Sequence, residues 1–298
     1  MLSRTFAAPR PLNLRLTLAP LRRGGWDPCL RLGRIEALRA TRTPEGPATI
    51  HLRSRAGEVA AEAWGPGASW ALERAPRLVG CEDEPAAFRP SHPALRDLQE
   101  RLRGLRLGRC DAVMEILVPT VLEQKVTGIE ARRSYARLVH KFGERAPGPF
   151  DLRIPPSPEF LASLPYFEWH PLGVERKRAE IVARACRSHV RLEQATTRTP
   201  AEASKRLRGI SGIGPWTAAH VIASAMGDPD QVILGDYHLP HLVGWVLAGE
   251  PRGSDARMLE LLEPLRGQRG RAVRLIAAGG DRPSRVAPRR ALRSFARI

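Results

Sequence analysis

Cysteine is scarce in this chain of 298 residues: Cys29, Cys81, Cys110 and Cys186 stand far apart, with no C-x-x-C pair among them. Without paired thiols there is no pattern for a zinc site or an iron–sulfur centre. Four isolated cysteines predict buried free thiols and a reducing cytoplasm. Lysine is almost as rare, at Lys125, Lys141, Lys177 and Lys205 alone, so nearly all the positive charge is arginine. Long apolar runs are also missing. The opening "MLSRTFAAPRPLNLRLTL" lacks the unbroken apolar core of a signal peptide, and no later segment approaches the roughly 20 apolar residues that span a bilayer, so no membrane contact is expected. No period of 20 to 50 residues repeats, which excludes a solenoid.

What the chain has in excess is positive charge. The formal net charge is +17 and the isoelectric point about 11.2, while 43% hydrophobic content is ample for a buried core. Arginine, alanine and proline together also follow from GC-rich coding, but a globular protein this basic attracts polyanions, nucleic acid above all. Residues 266–298 hold ten arginines against Asp281 alone. Beyond Gly280, where Gly, Pro and Ser accumulate, phosphate binding and a solvated tail are equally open readings.

The first third alternates with strand period in "NLRLTL" (13–18), "RIEALRAT" (34–41), "ATIHLRSR" (48–55) and "EVAAEAW" (58–64), separated by the turn sequences "RTPEGP" and "AG". A helix over 67–76 follows, and the acidic "CEDEPAAFRPSHP" (81–93) reads as a linker. From there the period is helical: a helix around Leu95, Leu98, Leu102 and Leu105, an all-apolar central one at 111–126, then 128–143, 157–165, 175–190 and 199–208. The expected fold is α+β and mostly α, with an N-terminal antiparallel β-rich domain (1–88), a helical domain (89–280) and a basic tail (281–298).

The segment "TPAEASKRLRGISGIGPWTAAHVIASAM" (199–226) carries the most chemistry. Thr199 caps a helix, with Glu202 at capping-box spacing; three glycines then precede a second helix opening at Pro215. A dinucleotide fingerprint needs a preceding strand and G-x-G-x-x-G spacing, and neither is present. Gly212 and Gly214, flanking an inward Ile213, can turn backbone N–H groups toward one phosphodiester; the same residues would serve a plain helix–helix turn. Ten residues past Met226 comes Asp236 in "VILGDYHL", at a position that suits a helix cap. A capping carboxylate stays ionised at neutral pH, as the stabiliser of a developing positive charge must.

"LRGISGIGPWTAAHVIASAM" followed by "VILGDYHL" resembles the helix-hairpin-helix, Gly/Pro-rich loop and aspartate signature of the DNA glycosylase superfamily, nearest to its 3-methyladenine DNA glycosylase II (AlkA-like) branch. The likeness covers about 110–276, through "ILVPTVLEQKVTGIEARRSYARLVHKFG", "LGVERKRAEIVARA" and "PLRGQRGRAVRLI", and that branch also carries an N-terminal strand-rich segment. The resemblance implies an all-helical HhH-GPD bundle and a monofunctional glycosylase of base excision repair. Such an enzyme flips alkylated purines such as 3-methyladenine and 7-methylguanine out of double-stranded DNA and hydrolyses their N-glycosidic bond, leaving an abasic site. Asp236 matches the catalytic aspartate. Trp216 stands where bifunctional relatives have a Schiff-base lysine, so no lyase activity is expected; an indole there can stack on a flipped base and attract a cationic one. His220 falls at an aromatic pocket position, as pocket lining or plain helix surface.

Gly212, Ile213, Gly214 and Thr217 match the phosphate-holding hairpin, with a monovalent cation there as an option and no catalytic metal. Gln124 and Lys125, followed by Val126, match the turn that approaches the gap left by the extruded nucleotide; helix-end capping would use the same residues. Arg266, Arg269, Arg271 and Arg274 are candidate phosphate contacts. Leu265 departs from the branch, which often has tryptophan there, and leaves the substrate range open. The protein is expected to act as a cytoplasmic monomer. A glycosylase for oxidised or deaminated purines, or a hairpin module that binds DNA without catalysis, are the alternatives.

Overall fold

The computed structural model describes residues 1–282; the remainder of the expected basic tail lies outside the described residues. Five antiparallel strands open the chain: β1 (Leu2–Ala7), β2 (Leu30–Leu32), β3 (Glu36–Thr43), β4 (Gly46–Arg55) and β5 (Glu58–Trp64), in the order β1-β5-β4-β3-β2. Ala56 and Gly57 both take positive φ, 52° and 87°, which matches the strand twist in a two-residue hairpin. Val59, Ala61 and Ala63 of β5 alternate inward as the sequence pattern predicts.

"NLRLTL" corrects one expectation. It forms helix α1 (Leu14–Leu18), capped by Asn13 Oδ1, which accepts from Leu16 N at 3.1 Å. Leu14, Thr17 and Leu18 are buried, a helical i, i+3, i+4 face that a short alternating stretch also satisfies. The strand that fills the sheet edge is β1, exposed along nearly its whole length and therefore without an apolar alternation to reveal it.

Helix α2 (Ala68–Leu78) covers the sheet, and α3 (Pro93–Arg101) follows. The segment between them is no loose linker. Phe88 is buried, and Asp83, with its side chain 4% exposed, accepts from Leu107 N and pairs with Arg271. The central apolar helix is α4 (Val113–Leu122); Glu193 caps it, accepting from Val113 N and Met114 N at 2.7 and 2.9 Å. Glu115 of α4 accepts both Arg39 Nε and Nη2, at 3.0 and 2.9 Å, and so locks the sheet onto the helices. Next come α5 (Gly128–Phe142), the short pair β6 (Glu144–Arg145) and β7 (Arg153–Ile154), α6 (Pro158–Ser163), α7 (Tyr166–Trp169), α8 (Arg176–Arg187), α9 (His189–Glu193), α10 (Pro200–Arg208), α11 (Pro215–Val221), α12 (Leu239–Ala248), α13 (Asp255–Leu262) and α14 (Arg269–Gly279).

The cores do not follow chain order. One joins the sheet, through Ile50, Leu52 and Val59, to α4, α5, α8, α10 and α11. The other joins Phe88, Leu95, Leu98 and Leu105 to Val232, Val243, Met258, Leu262, Ala272 and Ile276. The chain crosses from the first to the second after α11, through a π-helical turn (Ile222–Met226) closed by Gly227 at φ +69°. The carbonyls of Ser224 and Ala225 in that turn accept from Cys110 N and Asp111 N, so the widened turn is stitched to the incoming strand of chain before α4. The hairpin's Ile213 belongs to the first core, while Val232 and Leu239 on either side of Asp236 pack in the second.

Candidate active site

The hairpin forms because α10 begins and ends sharply. Thr199 Oγ1 accepts from Glu202 N at 3.3 Å while Glu202 accepts from Thr199 N at 3.0 Å, the reciprocal capping box that the sequence predicts. Its two inner glycines have different reasons to be glycine. Gly212 has φ +96°, and an added Cβ would lie 2.4 Å from Ile181 Cγ1, so both conformation and space exclude a side chain. Gly214 has extended backbone open to any residue, and an added Cβ would meet nothing within 4 Å. The fold does not need a bare backbone there. Ile213 is buried, Ser211 O accepts from Arg184 Nε and Gly212 O from Gln124 Nε2, at 3.2 and 3.1 Å. The amides of Gly212 and Gly214 find no acceptor among the described residues.

Two residues past Gly214, Trp216 extends its indole toward Asp236, with Nε1 donating to Oδ2 at 3.3 Å. The other carboxylate oxygen accepts from His238 N and Leu239 N, at 2.8 and 2.9 Å, and so caps α12. The preceding Gly235, at φ +78°, is pinned by its N–H to Asp255 Oδ2 at 2.8 Å, and a Cβ added there would lie 3.9 Å from Trp216 Cβ. Asp236 is half-buried and held by three donors, with lone pairs to spare. Such a group can stabilise a positive charge or take a proton from water.

His220, one helical turn beyond Trp216, meets its indole edge to face, with ring centroids 4.4 Å apart. Burial lowers the imidazole pKa to about 4, with the charge of Arg23 adding and that of Asp236 opposing. His220 is therefore neutral at physiological pH, and its buried Nε2 has no hydrogen-bond partner among the described residues. Arg23 lies in the same neighbourhood. Its side chain is 10% exposed, its Nε is also unpartnered, and Nη1 is 3.9 Å from Glu123. Sequence reasoning missed Arg23, because nothing local links residue 23 to a helix two hundred positions later.

No family model matches the chain. In sequence it is similar to YfjP of Bacillus subtilis (strain 168), provisionally named a DNA-3-methyladenine glycosylase, with 26% identity over 157 residues; the match spans 51% of this chain and 54% of that protein. In structure it is similar to a 3-methyladenine DNA glycosylase from Archaeoglobus fulgidus, at TM-score 0.79 and 18% identity over 92% of this chain and 97% of that one. It is also similar to an 8-oxoguanine glycosylase/lyase from Clostridium acetobutylicum complexed with double-stranded DNA, at TM-score 0.68 and 12% identity over 90% and 91% of the two chains. The chain has the DNA glycosylase fold.

Within this glycosylase fold the remaining sequence-predicted residues separate. Gln124 bridges Gly212 O and Thr217 Oγ1, the latter at 2.9 Å; its amide is spent on holding the hairpin. Lys125, next along, is exposed at φ +59° on the tip of the α4–α5 turn, and neither it nor Arg132 and Arg133 on α5 forms an ion pair among the described residues. The C-terminal arginines are engaged. Arg271 is buried against Asp83, each side chain 4% exposed. Arg274 is half-buried, donating to Leu16 O, with its pKa lowered to about 10 by desolvation of the guanidinium. Arg269 is clamped by Asp230, whose Oδ1 also accepts the amides of Gly267 and Arg269, and Arg266 chelates Glu263. Among the described residues no cluster of His, Cys, Asp and Glu could hold a metal ion, and no helix is long and apolar enough to cross a membrane.

Proposed function

We propose that this protein is a monofunctional DNA glycosylase that releases alkylated purines, 3-methyladenine and 7-methylguanine among them, from double-stranded DNA. The observation that carries the reading is the Asp236 carboxylate, bound by Trp216 Nε1 on one oxygen and by the amides of His238 and Leu239 on the other, beside a glycine hairpin with two amides unpaired among the described residues.

The hairpin amides hold one phosphodiester, and the bareness of Gly214 lets the backbone of the strand approach. Binding bends the duplex and turns the damaged nucleotide into the space bounded by Trp216, His220 and Asp236. An alkylated purine is already a good leaving group, since its positive charge weakens the bond to the sugar. As that bond breaks, electron pair departing with the base, positive charge develops on deoxyribose; ionised Asp236 stabilises it and water adds to C1′. The indole, fixed by its hydrogen bond and by His220, offers a face to a cationic base, worth roughly 0.5–2 kcal/mol.

Trp216 supports hydrolysis without strand cleavage, because an indole, not a lysine amine, occupies the position that matches the Schiff-base lysine of bifunctional relatives. The family resemblance also allows a monovalent cation at the hairpin, where the carbonyls of Ser211 and Gly212 each accept one hydrogen bond and keep a second lone pair; no step is assigned to it. The protein acts as a monomer in the cytoplasm, where its free cysteines stay reduced. The test is base release from methylated duplex DNA, with strand integrity read before and after alkali. Methylpurine release with cleavage only after alkali is expected. Release of 8-oxoguanine alone, or scission without alkali, would replace this reading with that of an oxidised-base glycosylase.

A further inference from the structure

One exposed aromatic side chain has no part in this mechanism, on a loop joined to the hairpin through Arg23, Glu123 and Gln124. Trp26 is 89% exposed, on a loop (residues 22–27, "RRGGWD") tied down by three hydrogen bonds. The buried Asp27 accepts from Arg23 N through Oδ2 and from Cys29 N through Oδ1, at 2.5 and 2.8 Å, and Arg22 Nη2 donates to Gly25 O at 3.0 Å. Gly24, at φ +97°, rests on the Arg132 side chain of α5. Arg23 reaches Glu123, and the next residue, Gln124, is bonded to the hairpin. Loop, α4–α5 turn and hairpin thus form one connected surface, with Trp26 at one end and the Gly212 and Gly214 amides at the other.

An indole left almost wholly in water forgoes the stabilisation that burial gives, so a hydrogen-bonded loop presenting one suits something that covers it. The surroundings indicate what. Lys125, Arg132 and Arg133 are exposed cations without ion-pair partners among the described residues, and no carboxylate on the loop faces solvent, since Asp27 is buried. An exposed indole on a loop that packs on Arg132, with unpaired cations on the neighbouring turn and helix, matches nucleic acid, whose phosphates take the cations while an unstacked base takes the ring. We propose that Trp26 is a stacking platform for an unstacked nucleobase of bound duplex DNA, supplied by the N-terminal segment. This rests on the glycosylase reading, which provides two such bases: the extruded one and its widowed partner.

The experiment compares the full chain with Trp26→Ala, Trp26→Phe and Trp26→Leu on two probes: a duplex holding a stable abasic analogue, which has only the widowed base, and a lesion duplex bound by each variant in an Asp236→Asn background. Trp26 is exposed, so all variants fold. Trp26→Ala and Trp26→Leu are expected to bind about tenfold more weakly, while Trp26→Phe stays within about threefold of the parent. Loss on both probes assigns the widowed base; loss on the lesion probe alone assigns the extruded one. Equal binding by Trp26→Ala on both probes, or full rescue by Trp26→Leu, overturns the proposal. If the unsubstituted protein failed to prefer damaged over undamaged duplex, the glycosylase reading itself would fall, whatever Trp26 did.

Discussion

The arginines at the start of α14 and the cations beside the hairpin look alike in the sequence and are opposites in the structure. Arg266, Arg269 and Arg271 are each met by a carboxylate, from Glu263, Asp230 and Asp83. Lys125, Arg132 and Arg133 meet none among the described residues. A guanidinium already neutralised by a built-in carboxylate gains little from a phosphate, because the ion pair must break first; a solvated cation gives up only water and counterions. The difference teaches that a cluster of basic residues locates a nucleic-acid surface only after its internal pairs are removed. On the proposed glycosylase reading, that measure puts the DNA-binding face on the hairpin, the α4–α5 turn and α5, and away from α14.

The sharpest way to break the contrast is Arg271→Ala. It strands the Asp83 carboxylate in the interior and should cost about 3–5 kcal/mol, a fall in Tm of roughly 10 °C, while DNA affinity per folded molecule holds. Loss of affinity without loss of stability would make Arg271 a phosphate contact after all.

His220 gives the next largest effect. Its pKa is lowered from 6.5 to about 4 in the folded protein, so the folded state binds fewer protons than the unfolded one between those values. Stability from this group is complete above pH 6.5, is lost as pH falls toward 4, and is constant below. The change amounts to about 3 kcal/mol. His220→Phe should flatten that portion of an equilibrium-unfolding profile; an unaltered profile would mean that His220 titrates normally.

Replacing the bare cations acts on binding alone. Lys125→Ala, Arg132→Ala and Arg133→Ala should leave Tm unchanged and each reduce the slope of log K against log salt by about 0.9. Arg266→Ala should leave the slope as it is. The hairpin contains the smallest version of the same comparison. Gly212→Ala must destabilise, by at least the roughly 1–2 kcal/mol of a left-handed residue. Gly214→Ala should leave stability within about 0.5 kcal/mol and weaken binding to all duplexes alike. Gly214→Ala with unchanged affinity would show that the strand passes elsewhere.

What could be read in advance follows the range of the interactions. The α10 capping box, the glycine turn and the α12 cap at Asp236 are set by residues within a few positions of each other, and the sequence displayed them. Paired arginines do not show themselves that way: Arg271 and Asp83 are 188 positions apart, and each alone looks like surface. Arg23 is hidden for the same reason. The misread "NLRLTL" is a different failure, since five residues with leucines at 14, 16 and 18 fit both periods and only burial of Leu14, Thr17 and Leu18 decides. Trp216 was read as a stacking surface; its hydrogen bond to Asp236 adds a positioning part that no spacing rule announces.

All of this converges on one carboxylate. Single-turnover release of methylated purines by Asp236→Asn, measured with saturating enzyme and alongside binding to an abasic analogue, addresses it directly. The amide keeps a cap for α12 but carries no charge, so release should fall by roughly a thousandfold with binding retained. Release within tenfold of the unsubstituted protein, at equal binding, would remove Asp236 from the chemistry.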